Sequence, residues 1–146
     1  HSGLFFLAEG DTSLIDEVLP LLAQEGVGTD RTVGHGYFEY KKEHLEIQVP
    51  DSADMGLILS TFIPEDKLQL EQAIDNQQVA YELVRRGGWI TSAPYNTLRK
   101  NAIYAFNAGS VLSGNPVGKI VDLAPKGLTN HPVWRCGKTI VLPIKL

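Results

Sequence analysis

Positions 26–36 hold four glycines, Gly26, Gly28, Gly34 and Gly36, with Arg31, Thr32 and His35 among them. Glycine admits positive φ and, having no Cβ, lets the main chain come close to a ligand. Successive backbone N–H groups in such a run form a nest for phosphate oxygens, and a guanidinium at Arg31 adds a two-pronged contact that lysine cannot copy. The run has no Gly-Lys-Ser/Thr ending and follows a helical pattern rather than a strand, so neither the P-loop nor the dinucleotide fingerprint applies. A connector needing several tight turns has the same composition, and both readings stay open at this point.

Other chemistries find less support. The histidines stand at 1, 35, 44 and 131, and none shows metal-ligand spacing. A single cysteine, Cys136, excludes an intrachain disulfide and a cysteine-built zinc cage. As a nucleophile it has no evident base partner, so it reads as a small packed thiol. A nuclease would use His35 or His44 as general base beside a lysine, but only proximity in sequence speaks for that. Between 81 and 104, Tyr81, Arg85, Arg86, Trp89, Tyr95, Arg99, Lys100 and Tyr104 interleave aromatic and basic residues. That pattern suits RNA, whose bases stack on rings while phosphates meet cations. A core strand with a charged edge looks the same.

The elements that must position these groups follow from periodicity. Residues 4–8 are a short apolar run of strand type, closed by turn residues at 10–13. Ser13 with Asp16 resembles a capping box opening a helix whose apolar stripe is Leu14, Ile15, Val18, Leu19, Leu21 and Leu22. Pro20 should kink that helix or end it early. Residues 37–40 and 45–49 suggest a hairpin, or one long strand with a break, 55–63 a strand stopped by Pro64, and 65–76 a short surface helix. A strand pattern from 79 runs through Gly87-Gly88 into Trp89 and Ile90, where two glycines suggest a bulge or a close backbone approach. Residues 102–106, 119–123 and 139–144 give three further strands. This order fits an α+β fold of the ferredoxin-like or RRM-like kind with strands appended at its C-terminal end.

Length and composition agree with one soluble domain. The 146 residues suffice for one ordinary core, and 43% apolar with 21% charged residues excludes disorder. No apolar run approaches a bilayer span, and residues 4–8 are too short, and too soon followed by Glu9 and Asp11, for a secretory signal. A cytoplasmic location is the simplest expectation. The opening His1-Ser2-Gly3 reads as residues 1–3 of a vector scar on an excised piece, leaving 4–146 as a single domain. Residues 1–75 carry four Lys or Arg against 15 Asp or Glu, a net of −11, whereas 76–146 carry nine against two, a net of +7. The basic half is a surface for an anionic partner, or simply one of two solvated faces of opposite sign.

The glycine-rich run with Tyr37-Phe38 resembles the G-rich loop of the RAMP superfamily of CRISPR proteins. Further blocks narrow the likeness: Arg86-Gly87-Gly88-Trp89, Leu98-Arg99-Lys100, residues 104–111, residues 118–125 and His131-Pro132-Val133-Trp134-Arg135. In that order they resemble, over nearly the whole chain, the C-terminal domain of the fourth subunit of the type III-A CRISPR (Csm) interference complex. The resemblance implies an RRM-like RAMP domain with the glycine-rich loop after its first helix. It implies a non-catalytic scaffold, with no cofactor and no metal, that grips the crRNA 5′ handle and docks on the large polymerase-cyclase subunit among other Csm subunits, away from any membrane. Residue by residue it makes Gly28, Arg31, Thr32, Gly34, His35 and Gly36 candidate handle contacts, joined by Arg99 and Lys100. The blocks at 109–111 and 131–135 serve equally as fold determinants. Two rivals remain: a metal-independent endoribonuclease of the same superfamily that cuts repeat RNA with His35 or His44 as base, and a protein-docking module whose glycine run is merely structural.

Overall fold

The computed structural model describes residues 3–28 and 33–146, and the chain divides into two compact units, one ending at Ile47 and one beginning at Gln48.

In the first unit the regular element among the described residues is helix α1 (Ser13–Glu25). It does not start with the expected capping box. Asp11 instead accepts the Ser13 amide at 2.9 Å, which holds the Asp11 carboxyl below its ordinary value because the backbone N–H stabilises the ionised form. The Asp16 carboxylate is engaged by Lys42 Nζ at 2.6 Å, an exposed pair. Nor does Pro20 end the helix. It removes one backbone hydrogen bond, and the helix continues to Glu25. Gly26 terminates it at φ +80, its N–H donating to the Leu22 carbonyl at 2.8 Å.

Neither the strand expected at 4–8 nor the hairpin or broken strand expected at 37–40 and 45–49 forms. Residues 4–8 and 37–49 belong to no ladder among the described residues, and Leu4, Phe5, Leu45 and Ile47 are exposed. The apolar stripe of α1 buries no residue. A strand is a property of a pair, and the period-2 pattern of these segments does not by itself supply the partner.

The second unit is α+β, built from small antiparallel sheets. Strand β1 (Met55–Ile58) lies in the middle of a three-stranded sheet, with β4 (Val111–Ser113) on one side and β7 (Val141–Ile144) on the other. Its register sets Gly56 opposite both Leu112 and Pro143. Two ribbons complete the strand set: β2 (Leu83–Arg86) with β3 (Ile103–Phe106), and β5 (Ile120–Asp122) with β6 (Trp134–Cys136). Helix α2 (Lys67–Ile74) begins at Asp66, whose side chain accepts the Gln69 amide at 2.8 Å while Gln69 Oε1 accepts the Glu65 amide at 2.8 Å.

The core of this unit is Ile58, Phe62, Ala73, Phe106 and Leu112, with Val79 and Val141 packed against it. The Phe62 and Phe106 rings lie 5.6 Å apart, and Tyr81 meets Phe106 edge-on at 5.1 Å. Burying each large side chain stabilises the unit by about 1.5–3 kcal/mol. Around Ile63 three segments meet main chain to main chain. The Ile63 amide donates to Gly137 at 3.0 Å, the Lys119 amide to Ile63 at 3.0 Å, and the Gly137 amide to Lys119 at 2.9 Å. Gly118, at φ +79, permits this approach: a Cβ there would strike the Gly137 carbonyl oxygen and stand 2.9 Å from Phe62 Cδ2.

Candidate nucleic-acid interface

In the first unit the segment after α1 closes on itself through the Val27 amide, which donates to the Gly36 carbonyl at 2.9 Å. Gly36, at φ +89, tolerates this only without a side chain, because a Cβ would collide with the Val27 carbonyl. Gly28 and Gly34 also have positive φ, at +101 and +84, but face open space. The bare main chain at Gly28 and Gly34 is exposed, and His35 is exposed beside them. Arg31 and Thr32 lie outside the described residues. His44 Nε2 stands 3.6 Å from Glu46 Oε1, both fully in solvent.

In the second unit Arg99 and Lys100 belong to an antiparallel ribbon that prolongs β2 and β3. Trp89 bridges Arg99, the Ile90 amide donates to Leu98 and the Lys100 amide to Gly88, each at 2.9 Å. Between the pair Arg86–Ile103 and the pair Trp89–Arg99 the register slips by one residue. Asn101 and Ala102 thus stand opposite the single Gly87, a bulge at the expected place but carried by the other strand. A Cβ at Gly87 would stand in ordinary contact with Ala102 Cβ at 3.4 Å.

The burial pattern alternates up to the bulge, where Gly87 and Gly88 are both exposed. Val84, Arg86 and Ile90 are covered, while Leu83, Arg85 and Trp89 are exposed. Tyr104, directly opposite Arg85, is also exposed. The Arg99 guanidinium lies over the Trp89 ring, 4.6 Å from its centroid. Lys100 is half-buried. Among the described residues no ion pair is made by Arg85, Arg99 or Lys100. The nearest acidic residue in sequence, Glu82, has its carboxylate held by Asn107 Nδ2 at 2.7 Å.

In the blocks at 109–111 and 131–135 several groups hold the fold together. Ser110 is buried; its Oγ donates to the Asn107 carbonyl at 2.7 Å and accepts the Glu82 amide at 3.3 Å. Asp122 Oδ1 accepts the amides of Ala124 and Val133, tying β5 to the start of β6. His131 Nε2 lies 2.9 Å from Ser92 Oγ. No cluster of potential metal ligands occurs among the described residues, and no helix there is long and apolar enough to cross a membrane.

Comparison with known proteins places these features. The family described as the CRISPR Csm4 C-terminal domain matches residues 51–144, a span that lies within the second unit and includes the ribbon but not the glycine-rich run. The chain is 33% identical over 148 residues to the "CRISPR system Cms protein Csm4" of Mycobacterium tuberculosis, covering 98% of this chain and 47% of that protein. It is 29% identical over 147 residues to the Streptococcus thermophilus protein of the same name, covering 97% and 48%. With the Methanocaldococcus jannaschii protein the identity is 27%, covering 88% and 39%. The chain thus spans about half the length, or less, of these curated relatives.

Proposed function

Because the chain belongs to the CRISPR Csm4 C-terminal domain family, we propose that it is a non-catalytic RNA-binding scaffold of a CRISPR Csm complex, holding the crRNA 5′ handle and docking on the large subunit. The observation that carries this reading is the exposed main chain at Gly28 and Gly34, held open by the Val27–Gly36 closure. Backbone N–H groups bared in this way meet phosphate oxygens without a side chain between. Arg31 adds a phosphate contact, and Thr32 and His35 hydrogen-bond along the same strand of RNA; within the second unit Arg99 and Lys100 are separate candidate RNA contacts. In this reading the fold is the ferredoxin-like, RRM-like one of the RAMP superfamily, and the protein works in the cytoplasm.

Affinity for labelled handle RNA and for a scrambled RNA, measured by anisotropy from 50 to about 300 mM salt, tests the proposal. Arg31→Ala should weaken both RNAs by similar factors and reduce the slope of log affinity on log salt by about 0.7, the value for one single-strand phosphate. An unchanged slope removes the phosphate role of Arg31. A chain that binds no RNA at any salt removes the function. Incubation with repeat RNA without metal should leave it intact; cutting that disappears in His35→Ala or His44→Ala would make the protein a ribonuclease instead.

A further inference from the structure

We propose that the outward face of the bulged ribbon is a stacking platform for single-stranded RNA, formed by two cation–aromatic pairs, Arg85 with Tyr104 and Arg99 with Trp89. The inference rests on the reading of the protein as an RNA binder, and it places a contact surface in the second unit that the glycine-rich run does not supply.

The argument begins from register. Arg85 and Tyr104 are direct cross-strand partners, so their side chains leave the same face. Trp89 and Arg99 are likewise cross-strand partners. Arg85 and Trp89 are exposed while Val84, Arg86 and Ile90 on the same strand are covered, which sets Arg85 and Trp89 on the same side. Four residues of extended chain separate them, roughly 13 Å. Each position therefore offers a ring with a guanidinium across from it, and the order of ring and cation reverses between the two strands.

Exposure decides between a core edge and a binding face. Tyr104 is 65% exposed and Trp89 is 53% exposed, where a ring serving only the core would be covered as Phe106 is. No carboxylate neutralises either arginine among the described residues. Rings open to solvent accept the faces of unstacked bases, and guanidinium planes both stack on bases and grip phosphates. A duplex hides its base faces, so it meets only the cations. The bulge opposite Gly87 serves the same end: its extra residue lies on the strand of Arg99 and brings Arg99 back to the side of Trp89 after the register slip.

The test uses the 146-residue chain with Trp134→Phe, which leaves Trp89 as the sole tryptophan. A 12-nucleotide single-stranded RNA should quench Trp89 emission saturably, and the same sequence as a duplex should not. In anisotropy titrations Trp89→Ala and Tyr104→Ala should each weaken single-strand affinity roughly five-fold to a hundred-fold, the range for one stacked base. Tyr104→Phe should retain it, and urea midpoints should stay at the parent value, since these side chains are exposed. If the parent binds RNA, loses affinity on Arg31→Ala, and is unchanged within two-fold by both ribbon substitutions, the platform is refuted while the proposed function stands. If the ribbon substitutions weaken binding and Arg31→Ala does not, the platform stands and the glycine-rich contact falls. Ribbon variants that keep RNA affinity but lose association with another Csm subunit would reassign the face to a protein interface.

Discussion

Replacing Gly118 by alanine perturbs the second unit where main chain meets main chain. Two costs add. At φ +79 an L side chain sits in the left-handed region, worth about 1–2 kcal/mol. The new Cβ then strikes the Gly137 carbonyl oxygen and crowds Phe62 Cδ2 at 2.9 Å and the Ile63 carbonyl at 3.0 Å. Two of those three neighbours are backbone and cannot rotate away, so the overpacking adds about 1–3 kcal/mol. Gly114→Ala separates the terms: its φ is +67, but nothing lies within 4 Å of a Cβ there. With a urea slope of about 2 kcal/mol per molar, Gly114→Ala should lower the midpoint by about 0.5 M and Gly118→Ala by about 1.5 M. Both tryptophans, Trp89 and Trp134, belong to this unit, so their emission follows its unfolding. Equal midpoints for the two variants would show that the chain relaxes freely around Gly118, and the close approach of the three segments would be wrong.

Ser110→Ala removes the acceptor of the Glu82 amide and one of the two donors to the Asn107 carbonyl, the Ser110 amide remaining at 3.2 Å, and should cost about 0.5–1.5 kcal/mol in the same urea assay; Ser110→Thr, which keeps the hydroxyl, should cost less. Asp11 titrates below 3.8 because the folded state donates the Ser13 amide to its carboxylate. A depressed carboxyl contributes stability above its unfolded value and loses it as pH falls through the folded one, so the start of α1 should loosen only in acid below 3.8. A carboxyl carbon NMR titration checks this; a midpoint at or above 3.8 in the folded chain would refute it.

The second unit was the more legible part of the sequence. Strands at 55–58, 103–106, 120–122 and 141–144, and the helix at 67–74, all fall where alternation or capping residues placed them. Two strands escaped notice, β4 and β6, each three residues long, too short for a period to show. The bulge was visible as Gly87-Gly88, but not which strand carried the extra residue, because that depends on the partner's register. In the first unit local signals misled more often. Asp16 satisfied a capping pattern and was taken by Lys42, 26 residues away. Of the site residues, the backbone role of Gly36 was implicit in its type, whereas the outward pairing of Arg85 with Tyr104 needed the ladder. Aromatic and basic letters interleave in the sequence without saying which face they share.

Strand β1 meets its two neighbours at a distance along the chain: Leu57 pairs with Val111 on one side and with Leu142, 85 residues later, on the other. The ribbons β2–β3 and β5–β6 join segments much closer in sequence. Loop closure for the central sheet is therefore the slow entropic step, and the ribbons form ahead of it. During synthesis β1 emerges early and waits with one edge unpaired until residues 141–144 leave the ribosome. A nascent chain stalled before Val141 exposes that edge, and the aggregation hazard of such an intermediate is concentrated in the short stretch from Met55 to Ile58.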